Sequence, residues 1–193
     1  VIACFAQSKK EFASDRQSSK EPGCKKYYQP GQAPDYLDKP VYLGVVEYQA
    51  RSAGPTLVAS YGKPYDIKTS WKFSGIEGPE GKFTTPGSQD SDLMPEEYRR
   101  FDFAPYQITP METAIGLRLG WHDAYAGGAA YFEALSLFRL DGGKLVNILS
   151  EPISFHKDLA GEWNKDGTRE RDVSEEQNVL SVLPSKTNGY ADL

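Results

Sequence analysis

The residues best suited to chemistry lie in the run Gly161-Glu162-Trp163-Asn164-Lys165-Asp166-Gly167-Thr168-Arg169-Glu170. Oxygen-bearing side chains occupy alternate positions at Glu162, Asn164 and Asp166, Gly167 permits a sharp bend, and Glu170 adds another carboxylate. Calcium takes roughly six to eight hard oxygen ligands, and alternation around a tight turn can supply them, with the Thr168 carbonyl as a further ligand. An EF-hand would need a glutamate where this chain, counted from Glu162, has Val173, so that motif is excluded. The competing reading is an Asp-Gly turn in solvated charge. Residues 162–176 hold six acidic and three basic side chains, so this window carries −3 of the chain's net −5.

The segment resembles the calcium loop of FG-GAP/VCBS repeats, the integrin-type propeller blades. There a Gly-Asp-aromatic-Asn-x-Asp-Gly run is followed by a further Asp. Trp163, Asn164 and Asp166-Gly167 carry the match, while Glu162 and Glu170 stand where the family has Asp. Asn188-Gly189-Tyr190-Ala191-Asp192-Leu193 is similar to the end of such a repeat. The resemblance implies calcium as the cofactor, held by Glu162, Asn164, Asp166, Thr168 and Glu170, in a structural rather than a catalytic role.

The two cysteines, Cys4 and Cys24, are too few for a soft-metal centre, and no CxxC occurs. A Cys4–Cys24 disulfide would close a loop of about 20 residues, worth about 3 kcal/mol in the chain-entropy model. Val1-Ile2-Ala3-Cys4 is also similar to a bacterial lipobox, and two free thiols are the third reading. The first two both place the protein outside the cytoplasm, in the periplasm or exported, with a lipid anchor in the second case. The two histidines, His122 and His156, belong to no nucleophile elbow, phosphate loop or dinucleotide fingerprint, which favours a non-enzyme. The acidic balance disfavours a nucleic-acid partner, and no run of about 20 apolar residues crosses a membrane.

The chain reads as all-β, an antiparallel sandwich or propeller-like arrangement with short helices only. Residues 1–40 form an N-terminal extension, and residues 41–193 form one β-rich core. Strands are predicted at 41–49, 56–61, 67–73, 101–109, 112–121, 130–140, 144–149 and 178–183, with a hairpin turn at Asp141-Gly142-Gly143. Pro95 with Glu96 and Glu97 predicts a short helix over 95–100, and 75–94 reads as a long loop. Residues 121–129 join two long strands, so Trp121, His122, Asp123 and Tyr125 are the candidate partner-binding residues on a projecting tip. The alternative puts Trp121 in the core.

The strand-rich second half, the 162–170 loop and the cysteine-poor chain resemble the periplasmic immunity and lysozyme-inhibitor lipoproteins that neutralise secretion-system effectors. That resemblance implies a binding protein that blocks the active site of a secreted cell-wall hydrolase or other periplasmic toxin. A calcium-dependent carbohydrate- or surface-binding module using Trp71, Trp121 or Trp163 is the alternative, and a hydrolase using a histidine is a third.

Overall fold

The computed structural model describes residues 1–4, 40–48, 54–79 and 92–193. Cys24 lies outside the described residues, and so does the Cys4–Cys24 pairing. The chain groups into two compact units, Val1–Asp66 with Leu140–Val146, and Ile67–Arg139 with Asn147–Leu193.

In the first unit, β1 (Ile2–Cys4) pairs antiparallel with β2 (Val41–Glu47), which pairs antiparallel with β3 (Thr56–Ser60). The β-branched content of 41–46 suits a pleated surface, and Val41, Leu43 and Ala59 are buried. Ser60 bridges in parallel to Lys144, and its N–H donates to the Gly143 carbonyl at 3.1 Å. Beyond β3 the Tyr61 hydroxyl donates to Asp66 at 2.7 Å. Partial burial and that carboxylate push the phenol up to about 12.

In the second unit, β4 (Thr69–Ser70) pairs with β5 (Asp92–Leu93). Five long strands follow in sequence, β6 (Glu97–Thr109), β7 (Glu112–Tyr125), β8 (Gly128–Asp141), β9 (Lys144–Trp163) and β10 (Arg169–Gln177), of which the end of β8 and the start of β9 over Leu140–Val146 belong to the first unit. Each is hydrogen-bonded to the next. The short pair β11 (Lys186–Thr187) and β12 (Tyr190–Ala191) completes the chain.

Both faces of the central strands are covered along part of their length, which is why 134–138 reads as a continuous run with little polar content. On one face Leu117, Leu119 and Trp121 of β7 lie opposite Ser136, Ala134 and Phe132 of β8, all buried. Trp71 meets Trp121 edge-on at 5.2 Å and Phe132 at 5.8 Å, and Phe132 stacks on Phe155 at 5.3 Å. The indole N–H of Trp121 donates to the Met94 carbonyl at 2.8 Å. On the other face Tyr106, Ile108, Ala114, Leu135, Leu137 and Ile153 form a second cluster, with Leu149 and Leu180 packed against it.

The sandwich or propeller-like expectation with short helices is corrected. The described residues form an all-β, mostly antiparallel arrangement and contain no helix. Residues 97–100, expected as helix, open β6 instead, with Glu97 opposite Gly120 and Tyr98 opposite Leu119. Cross-strand pairing overrides the local signal of Pro95 and its following acids. The strand expected at 178–183 is absent, and those residues run without regular pairing.

Candidate interaction site at the β9–β10 hairpin

The Ala160 N–H donates to the Gly127 carbonyl at 3.1 Å, so β9 passes the turn joining β7 to β8 at that point. Residues 161–163 of β9 and the start of β10 therefore extend past the end of the β7–β8 hairpin. Trp163 faces Arg169, and a register shift follows before Arg171 faces Ala160, which leaves Gly161 and Glu162 opposite Glu170 as a bulge. Trp163 is 69% exposed. The Arg169 guanidinium lies over its ring, 5.3 Å from the centroid, while Arg169 Nε donates to the Gly161 carbonyl at 2.8 Å. The cation is thereby fixed on the indole face.

The turn closes on Thr168. The Asn164 N–H donates to the Thr168 carbonyl at 2.8 Å, and the Gly167 N–H donates to the Asn164 carbonyl at 3.1 Å. Asp166 Oδ1 accepts the Thr168 hydroxyl at 2.7 Å and the Thr168 N–H at 2.9 Å. The Asn164 amide donates to the same hydroxyl oxygen at 3.0 Å. Hydrogen bonds from Thr168 hold the Asp166 carboxyl below the usual carboxylate range. Gly167 adopts φ +84°, a conformation that costs glycine little and other residues more.

The five expected calcium ligands, Glu162, Asn164, Asp166, Thr168 and Glu170, thus share one turn, and all are exposed. Asn164 and Asp166 are committed to Thr168, and among the described residues no three His, Cys, Asp or Glu are grouped as a metal would need. The turn is closed by its own hydrogen bonds. Melting in calcium and in chelator tests the expected metal site: a calcium-dependent rise in melting temperature supports it, and equal melting temperatures remove it.

The four candidate partner-binding residues at 121–125 do not share a surface. Residues 121–129 are strand ends around an Ala126-Gly127 turn, with Gly127 at φ +94°, rather than a projecting loop. The period-two alternation of β7 sends Trp121 (1% exposed) and Asp123 (7%) to the buried face. His122 points the other way, and Tyr125 sits at the strand end with the Lys157 ammonium 5.5 Å from its ring centroid.

His122 instead faces Tyr131, with ring centroids 5.0 Å apart. On β9, His156 Nδ1 lies 2.7 Å from Glu175 Oε1, directly across to β10. The Gly127–Ala160 hydrogen bond and the Phe132–Phe155 stack set a β8–β9 register that carries Tyr131 opposite His156. Both histidines therefore flank one tyrosine in a row across β7, β8, β9 and β10. Sequence reasoning missed Tyr131, Glu175 and Arg169. Counting back from the Ala126-Gly127 turn would have paired His122 with Tyr131, but that requires taking 121–125 as strand.

Beside this row, Arg118 binds Asp102 at 2.5 Å and Glu133 at 2.9 Å, and Arg99 binds Glu133 at 3.0 Å. Gly120 makes room for this cluster, since a Cβ there would come within 2.3 Å of Arg99 Nε. Partial burial tends to raise the Asp102 pKa, but the Ala104 N–H and the Arg118 guanidinium outweigh it and hold the carboxyl below its ordinary value. A depressed native pKa gives stability that is complete above the unfolded value, about 3.9, and is lost as pH falls through the native one. Asp102→Asn is expected to flatten this part of the acid-unfolding curve below about pH 4. An unchanged acid limb would remove Asp102 from the account.

No protein-family model, curated protein or solved structure matches this chain. The reading of the hairpin rests on its own geometry.

Proposed function

We propose that this protein acts by binding a folded, basic protein, with Trp163 and Arg169 as the anchor and the acidic β10 as the flank. The observation that carries this reading is the exposed indole with a fixed guanidinium on its face, at a hairpin tip that overhangs its neighbour. Tryptophan and arginine are enriched among residues that dominate binding energy. A turn closed by its own side chains enters a complex already ordered, which lowers the cost of association. All nine residues of β10 are exposed, and the −3 carried by 162–176 favours encounter with a positively charged partner.

The partner class is a secreted cell-wall hydrolase whose cleft is blocked by the tip, in the manner of the immunity and inhibitor lipoproteins that the chain resembles. The protein is then a periplasmic or exported inhibitor and not an enzyme. A second reading, a carbohydrate-binding platform, is favoured by one fact: Trp71 and Trp121 are buried, which leaves Trp163 as the exposed indole. Titration against a panel of purified lysozyme-type and amidase-type wall hydrolases separates the two. Tight binding with loss of hydrolase turnover supports the inhibitor. Quenching of Trp163 fluorescence by wall oligosaccharides, with no hydrolase bound, would replace it with the sugar-binding reading.

A further inference from the structure

The turn from Trp71 to Ile76 is pinned at both ends and yet presents an apolar side chain to solvent. Trp71 and Ile76 are both buried. The Ser74 hydroxyl lies 3.0 Å from the Trp71 carbonyl and 3.1 Å from the Ile76 carbonyl, and accepts the Ile76 N–H at 3.2 Å. The Ser74 carbonyl accepts from the Asn178 amide at 2.9 Å. Between these fixed points Phe73 is 94% exposed at φ +122°, a region almost restricted to glycine. Neither packing nor backbone preference explains a phenylalanine there. A glycine would satisfy the turn without strain, and a polar residue would satisfy the solvent.

The position of the turn supplies a reason. The Glu77 N–H donates to Glu176 Oε2 at 2.7 Å, and Lys157 bridges to Glu77 at 3.1 Å, so the turn is tied to the C-terminal end of β10. Trp163 sits beyond the other end of the same strand, opposite Arg169. β10 itself spans about 26 Å at ~3.3 Å per residue. That span suits one side of a standard protein interface, roughly 800 Å² per partner.

We propose that Phe73 is a second anchor of the interface centred on Trp163, entering an apolar pocket of the same basic partner while the acidic face of β10 lies between the two contacts. This inference rests on the protein-binding reading above. Lys72, whose ammonium is 5.0 Å from the Phe73 ring centroid, covers part of the ring, and Lys68 and Ser70 continue the exposed side of the approach to the turn.

The test compares the wild type with Phe73→Ala, Phe73→Gly and Trp163→Ala in the hydrolase titration, alongside thermal melting and sedimentation with vesicles of anionic phospholipid. Both Phe73 variants are expected to weaken hydrolase binding about tenfold or more. Phe73→Gly is expected to raise Tm by about 2–4 °C through release of the strained backbone, which shows that lost affinity is not lost folding. If Trp163→Ala weakens binding and the Phe73 variants do not, the second anchor is wrong while the first stands. If Trp163→Ala also leaves binding unchanged, or the wild type binds no hydrolase, the underlying reading fails and this one with it. Vesicle binding that depends on Phe73, without any effect of the Phe73 variants on hydrolase binding, would assign the turn to a membrane instead.

Discussion

Trp163→Ala is expected to weaken binding to the hydrolase partner by roughly 30- to 1000-fold, the range of about 2–4 kcal/mol for a dominant interface residue. It should leave the melting temperature nearly unchanged. The indole is 69% exposed, with the Arg169 guanidinium over its ring, so its removal opens no cavity. The loss should appear chiefly in the dissociation rate, because the charge of 162–176, proposed to favour encounter, is unchanged by the substitution. Arg169→Lys should recover only part of the affinity, since an ammonium cannot reproduce a planar guanidinium lying on the ring.

Trp121→Ala is expected to do the reverse. Trp121 is 1% exposed, is held edge-on to Trp71 and bonds the Met94 carbonyl through its indole N–H. Truncation removes a large buried side chain, leaves a cavity and strands the Met94 carbonyl. The expected cost is about 3–5 kcal/mol, a fall in Tm of roughly 6–20 °C for a chain of this size. Chemical denaturation measures this directly. A loss below about 1 kcal/mol would place Trp121 outside the core, contrary to the packing described. The two variants are therefore expected to separate, Trp121→Ala showing in stability and Trp163→Ala in the proposed binding.

Much of the strand order could be read from the chain, and the failures have specific causes. Asp141-Gly142-Gly143 marked the β8–β9 turn because Gly142 and Gly143 take φ of +53° and +84°. Val41 and Thr56 marked the starts of β2 and β3 because their segments are β-branched and bounded by turn residues. β10 escaped notice because Arg169–Gln177 has no buried residue, hence no hydrophobic alternation to detect. The same charged composition protects an edge strand from pairing with other chains. β9 was cut at Leu149, although it runs to Trp163 through Pro152.

The candidate surface shows the same division. Residue types at 162–170 pointed to a structured loop, but not to its closure on Thr168, which depends on where the Asp166 and Asn164 side chains turn. At 121–125, aromatic content suggested a tip. Strand alternation separates Trp121 and Asp123 from His122, and this could not be judged without knowing that β7 continues to Tyr125. The alternation of Ile67, Thr69, Trp71 and Phe73 predicted a strand over 67–73 with Phe73 on its apolar face, but regular pairing covers only Thr69–Ser70 and Phe73 stands 94% exposed at φ +122°.

Binding of a basic protein partner by the β9–β10 tip through Trp163 is the proposal that most needs a direct test. The most direct measurement is calorimetric titration of the intact protein and of its Trp163→Ala variant against purified wall hydrolases, with hydrolase turnover followed in parallel. The account predicts saturable binding and inhibition by the wild type, both lost in the variant while its melting curve is retained. Equal binding and inhibition by the two proteins would contradict it.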